Sequence, residues 1–287
     1  MAGGVTQTEY WNGPVGERWA RHQAVLDAVF APLTEALFER AALGPGERVL
    51  DIGCGAGATT LEAARRVGPS GRVTGADISD PLLAVARARA TRHGGPSAPI
   101  DFIRADVETA TFEAGAFPRA VSRFGVMFFT DSGRAFANVR RVLGPSGRLT
   151  VLCWRALPEN PWVTVPRDAV LPLLSEVPPP PPPDAPGPFR FADGDALATL
   201  LRASGFADVA CESVERDVTL GRGGSDDEAT AAAAQVAVEL GPVSHLVRDA
   251  EAPLRERAAA AVARALRPHA ADGAVRLRAA CWLVQAR

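Results

Sequence analysis

Asp51, Asp77 and Asp106 each lie inside or just after a short apolar run. The first run, Arg48-Val-Leu-Asp-Ile52, passes directly into Gly53-Cys-Gly-Ala-Gly57. Burying a carboxylate inside such a strand is costly unless a partner is present, so Asp51 points to a ligand or a dedicated donor set. The glycines allow a tight turn and a close backbone approach to whatever the turn holds. A helical run from Thr59 to Val67 follows, with its free N–H groups aimed back at the turn. Gly53-x-Gly55-x-x-Ala58 also satisfies a dinucleotide fingerprint, and Asp77 follows it at about the 20-residue interval of an acid that takes a ribose diol. On spacing alone an NAD(P)-dependent oxidoreductase therefore stays open.

The elements that must carry these residues alternate regularly. Strands are expected at 48–52, 72–77, 100–105, 120–123 and 148–154. The helices between them run from Thr59 to Gly68, from Asp80-Pro81 to about His93, and from Asp131 or Ser132 to Gly144. Val67-Gly-Pro-Ser-Gly-Arg-Val-Thr74 and Leu143-Gly-Pro-Ser-Gly-Arg-Leu-Thr150 are nearly the same string, each a helix stop, a turn and a strand start. Such alternation describes a doubly wound, mostly parallel α/β sheet, which binds ligands outside the carboxyl ends of its strands.

Beyond strand five a helix is expected from Asn160 to about Val177, then the proline run Pro178 to Pro183 as a polyproline spacer crossing the surface. An SH3-type ligand is the other reading of that run. A helix over Asp193 to Ser204, a strand over Val209 to Leu220, two helices within 226–268 and a closing strand from Val275 to Ala286 follow, the two strands as an antiparallel edge pair. Residues 7–43 read as helical, with an apolar stripe from Val25 to Phe38 preceded by an aromatic segment, Tyr10 to Trp19, that is either a packed arm or a flap. Four parts result: an N-terminal arm or lid (1–44), a cofactor-binding core (45–154), a cap with the proline spacer (155–190), and the rest of the core with a helical insertion at about 225–268.

Composition narrows the partners. A net charge of −2, from 31 basic and 33 acidic residues, argues against nucleic-acid and membrane-surface binding. Every basic residue is arginine, a coding bias. The four cysteines and four histidines show no disulfide or metal spacing, so no metal is expected. With no apolar leader or membrane-length run, a cytoplasmic location is expected.

Val-Leu-Asp-Ile-Gly-Cys-Gly-Ala-Gly57, Gly-Ala-Asp-Ile-Ser79 and Arg-Ala-Asp-Val107 together resemble the class I S-adenosylmethionine-dependent methyltransferases of small-molecule type. The likeness covers about residues 45–220 and includes the turn Leu143 to Leu149, with Ser146 where glycine is commoner. It implies a seven-stranded Rossmann-like sheet with an antiparallel C-terminal edge and a helical cap. It also implies S-adenosylmethionine as cofactor and S-adenosylhomocysteine as product. Asp51 would fix the loop and the cofactor's amino group, directly or through water, the backbone of Gly53, Cys54 and Gly55 would contact its methionine part, and Asp77 would hold the ribose with Ile78 against the adenine. Asp106 and Val107 would hold the adenine edge, and Arg123 and Phe124 would border the methyl group. A dinucleotide site needs no acid two residues before its first glycine, which separates the two cofactors.

Protein side chains contribute orientation to such a transfer, and a general base only for a poorly ionised acceptor. His22 is the candidate base, being near the flap. Trp11, Trp19, Phe128, Trp154 and Trp162 are the candidate lining of an apolar acceptor pocket. The expected reaction is methyl transfer to a small, apolar or aromatic, metabolite. A non-catalytic S-adenosylmethionine-binding protein is the remaining alternative. The acceptor, the atom methylated and the oligomeric state stay open.

Overall fold

The computed structural model describes residues 5–182, 184–240, 243–248 and 250–287. Pro183, which ends the proline run, lies outside the described residues. So do residues 1–4 of the arm and Gly241, Pro242 and Asp249 of the 226–268 stretch.

Three helices open the chain: α1 (Gln7–Asn12), α2 (Pro14–Arg21) and α3 (Gln23–Ala41). A capping box between Thr6 and Glu9 starts α1. Helix α3 buries Leu26, Val29, Phe30, Leu33, Leu37 and Phe38, a three-to-four-residue stripe against the sheet. The core then alternates β1 (Arg48–Ile52), α4 (Ala58–Val67), β2 (Arg72–Asp77), α5 (Asp80–Ala90), β3 (Ile100–Arg104), β4 (Arg119–Arg123), α6 (Ser132–Leu143) and β5 (Arg148–Trp154). Local chemistry sets the boundaries. Ser79 and Asp131 cap α5 and α6 by accepting from Leu82 N and Arg134 N. Gly57, at φ 85°, takes the left-handed conformation that starts α4. A side chain there would meet the Phe102 ring and Ala86 Cβ at 3.0 Å.

The remainder comprises α7 (Pro161–Val170), α8 (Gly194–Ala203), β6 (Ala210–Arg222), α9 (Asp226–Glu239), α10 (Ser244–Val247), α11 (Ala252–Leu266), β7 (Ala270–Ala271) and β8 (Ala274–Ala286). The strand order is β3-β2-β1-β4-β5-β8-β6, with β7 on β8. Strands β1 to β5 pair in parallel, and β8 runs antiparallel to both β5 and β6. This is the mostly parallel sheet with an antiparallel C-terminal edge expected from the sequence. The order reverses between β1 and β4, which opens a crevice at their carboxyl ends.

Three expectations change in detail. The helix from Asn160 does not reach Val177: α7 stops at Val170, and a single 3-10 turn, Leu171–Leu173, follows. Pro172 has no N–H to continue an α-helix. Among the described residues, the 226–268 stretch holds three helices, not two. Residues before β8 form a hairpin, with Asp272 at φ 53° and Gly273 at φ 66°. Asp-Gly with both residues left-handed is the two-residue turn that matches strand twist.

Candidate functional site

A cavity of about 320 Å³ sits at the crevice. Its lining includes Gly53 and Gly55 from the turn after β1, and Asp77 and Ile78 at the end of β2. Asp106, Val107 and Glu108 after β3, Arg123, Phe124 and Gly125 after β4, and Thr6, Trp11 and Trp19 above complete most of it.

Strand backbone builds the turn. Gly53 N and Cys54 N both donate to Ala76 O, at 2.9 and 3.2 Å, and Gly57 N donates to Cys54 O at 2.9 Å. Gly53 has φ 66°, and a Cβ on it would stand 2.8 Å from Gly125 Cα. A Cβ on Gly125 would stand 2.6 Å from Ile52 O, so these two glycines let the ends of β1 and β4 touch. Arg89 ties the turn to the N-terminal helices. It donates to Ala56 O and to Asp27 Oδ2, each at 2.7 Å.

Asp51 is fully buried beneath this turn. Its Oδ2 accepts from Thr59 Oγ1 and Thr60 Oγ1, both at 2.6 Å. Its Oδ1 is buried with no hydrogen-bond partner among the described residues. Burial pushes the carboxyl up to about 6, against the two hydroxyl donors and the nearby Arg123 charge, which favour the ionised form. A buried oxygen left without a donor under a glycine turn is what a cationic or N–H-bearing ligand would complete.

Asp77 Oδ2 accepts from Gly55 N at 2.7 Å and Oδ1 from Ser79 N at 2.9 Å. Burial also raises this carboxyl, opposed by those backbone donors. Asp106 Oδ1 accepts from Glu108 N at 2.9 Å, a local turn beside Val107. Arg123 is enclosed by α3: it donates to Thr34 Oγ1 at 2.6 Å, stands 3.7 Å from Asp27 Oδ1 and lies over the Phe30 ring. Burial lowers its pKa, opposed by the Asp27 and Asp51 charges. Phe124 has φ 71°, a costly conformation for a non-glycine residue, and its ring stacks on Trp154 at 4.0 Å.

The expected site residues thus divide. The cavity brings together Gly53, Gly55, Asp77, Ile78, Asp106, Val107, Arg123, Phe124, Trp11, Trp19 and Phe128. Asp51 and Cys54 lie behind it, and burial raises the Cys54 thiol far above its usual range, keeping it neutral. Trp154 and Trp162 belong instead to a buried aromatic group with Phe30. Strand five ends inside the core, and Asn160 Oδ1 accepts from Trp162 Nε1, turning that indole inward. His22 is also outside the cavity: it lines a separate groove, because α2 turns its Trp19 side to the cavity and its Arg18 and Arg21 side away.

Sequence reasoning missed Glu108 and Gly125. Glu108 is buried and accepts from Thr130 N and Asp131 N at 2.9 and 3.1 Å, shaping the wall before α6. The glycine after Arg123-Phe124 was the available sign of close backbone contact.

A family model described as a methyltransferase domain matches residues 49–147. The ubiquinone/menaquinone biosynthesis C-methyltransferase UbiE of Hahella chejuensis is 36% identical over 144 residues, covering 48% of this chain and 57% of that protein. Nocamycin O-methyltransferase of Saccharothrix syringae is 30% identical over 189 residues, covering 63% and 66%. The chain therefore spans less than two thirds of the length of either relative. Among solved structures, Haemonchus contortus phosphoethanolamine N-methyltransferase 2, in complex with phosphomonomethylethanolamine and S-adenosylhomocysteine, superposes with a TM-score of 0.59 at 15% identity. That match covers 99% of this chain and 60% of the other, and at such identity it speaks for the fold alone.

Proposed function

We propose that the chain carries a class I S-adenosylmethionine-dependent methyltransferase domain and transfers a methyl group from that cofactor to a small, apolar or aromatic, metabolite, a reading supported by the matching methyltransferase-domain model and the methyltransferase relatives. The observation that carries this reading is the unpartnered buried Oδ1 of Asp51, set behind a cavity that Asp77 and Asp106 line at the next two strand ends. When bound, S-adenosylmethionine supplies an electrophilic methyl group on a sulfonium. Asp51, behind the cavity, would fix the turn and, directly or through water, the cofactor's amino group, and the backbone at Gly53, Cys54 and Gly55 would hold the amino-acid part. Asp77 takes the ribose hydroxyls, Ile78 packs on the adenine, and Asp106 with Val107 takes its polar edge.

Arg123 and Phe124 border the reacting centre. Trp11, Trp19 and Phe128 give the acceptor an apolar wall, with Trp11 edge-on to Trp19 at 5.6 Å and to Phe128 at 5.2 Å. These residues exclude water and orient the acceptor, and orientation contributes roughly 7–11 kcal/mol in well-placed intramolecular reactions. The titratable groups of the lining are Asp77, Asp106, Glu108 and Arg123, and each acid already accepts a backbone N–H.

Thermal unfolding with S-adenosylhomocysteine tests the cofactor: at ~100 times its Kd the stabilisation is ~2.7 kcal/mol. Stabilisation by NAD and none by S-adenosylhomocysteine would overturn the reading. Transfer of radiolabel from cofactor to a metabolite panel tests catalysis. Tight cofactor binding with no transfer to any acceptor favours a non-catalytic binding protein.

A further inference from the structure

The cavity occupies one side of α2. The other side faces a second concavity of about 870 Å³, walled by α9 and α11, to which the site described above assigns nothing. Its floor is aliphatic, with Ala234, Val238, Val247, Ala259 and Ala263. Its rim is cationic: Arg18, Arg21, Arg248 and Arg255 stand against Glu239 and Glu256. Positive charge is thus in local excess in a chain whose net charge is −2.

Three of these arginines are uncompensated. Arg18, Arg21 and Arg255 form no ion pair with a described residue. Among the described residues, Arg18 reaches only the Glu239 main-chain oxygen, at 3.4 Å. The Glu239 carboxylate is engaged by Gln235 Nε2 at 3.1 Å. Some surface arginines pair with carboxylates, Arg65 and Arg66 with Glu62 and Arg72 with Asp101, whereas Arg18, Arg21 and Arg255 line one concavity together without such a partner among the described residues. An aliphatic floor under unpaired guanidinium groups fits a ligand with an apolar body and an oxyanion head, because guanidinium recognises carboxylate-like groups through paired N–H donors.

Resting on the methyltransferase reading, we propose that this groove is the first docking site of the acceptor and that the acceptor is a small amphipathic acid. Its field concentrates such acids beside α2, whose opposite side carries Trp19 into the reaction cavity. The acid group is held by Arg18, Arg21 and Arg255 while the apolar body rests on the alanines.

The test uses the full chain saturated with S-adenosylhomocysteine and the fluorescent acid anilinonaphthalene sulfonate, with its uncharged parent phenylnaphthylamine as control. The acid is expected to bind at one site per chain. Arg21→Glu with Arg255→Glu is expected to weaken it about tenfold or more, as the loss of charged hydrogen bonds implies, with the Kd for S-adenosylhomocysteine unchanged. Equal binding of the uncharged parent, no effect of the double reversal, or displacement of the probe by S-adenosylhomocysteine overturns the proposal. A change of oligomeric state in the double variant, by gel filtration, would make the groove a contact between copies and also overturns it. Thermal stabilisation by S-adenosylhomocysteine is read separately. Its absence sinks the methyltransferase reading and leaves the probe result standing.

Discussion

Below the cavity, strand backbone and buried side chains hold the glycine turn: Gly53 and Cys54 share Ala76 O, Asp51 holds two hydroxyls, and Val49, Leu50 and Ile52 are buried. Above it, α1 buries no residue and α2 buries only Gly16. A few hydrogen bonds hold these helices down: Ser79 Oγ donates to Trp11 O at 2.7 Å, Asn12 Nδ2 donates to Ile78 O at 2.9 Å, and Asp80 N donates to Asn12 Oδ1 at 2.8 Å. The floor therefore opens only with the sheet, whereas the roof opens locally at small cost. A site that must admit two ligands and exclude water needs both properties.

Four measurements press on this contrast. The largest effect is expected in the floor. Gly125→Val places side-chain carbon against Ile52 O and is expected to cost about 3 kcal/mol in urea unfolding and to abolish S-adenosylhomocysteine binding. Near-normal stability with intact binding would show that the β1–β4 contact yields.

The second effect is on pH. The Asp51 carboxyl moves from 3.8 in the unfolded chain to about 6 when folded, so the folded protein holds this proton more tightly. Its contribution is complete at acid pH and is lost as pH rises through about 6, up to roughly 3 kcal/mol across the window. Asp51→Asn is expected to flatten that part of the stability profile between pH ~4 and ~6. An unchanged slope would place the titration elsewhere.

Third, Asp77→Asn is expected to weaken S-adenosylhomocysteine by roughly 1.5–3 kcal/mol, about ten- to a hundredfold by calorimetry. A smaller change would mean that the carboxylate serves Gly55 N more than the ligand.

The smallest effect belongs to the roof. Asn12→Ala is expected to cost about 1 kcal/mol locally, read as faster amide exchange across residues 7–21 with global unfolding little moved. If global stability fell by as much as in the Gly125 variant, roof and floor would be one cooperative unit.

This contrast also decides what could be read from the sequence. Floor residues announce themselves because their chemistry is locally unusual: a carboxylate within Val49-Leu50-Asp51-Ile52, glycines closing a strand, and acids at successive strand ends. The roof has no such local signature. Five tryptophans are chemically alike, and only tertiary placement separates Trp11 and Trp19 at the cavity from Trp154 and Trp162 in the core. His22 is near Trp19 in sequence, yet the helical turn between them points the two residues into different concavities. Glu108 and Arg89 act through loop and backbone groups distant in sequence, for which no spacing rule exists. The Asp272-Gly273 turn went unread because the two-residue strand before it is too short to show periodicity.

Strand β8 lies between β5 and β6, although it follows every other strand in the chain. During synthesis, then, β6 emerges with neither edge of its ladder available, and β5 waits more than a hundred residues for Leu149 to meet Ala286. Such distant pairing makes sheet closure a late and slow event. Until it happens, the unpaired backbone edges of β5 and β6 stay exposed in the nascent chain, which makes this stage the one most open to aggregation or chaperone capture.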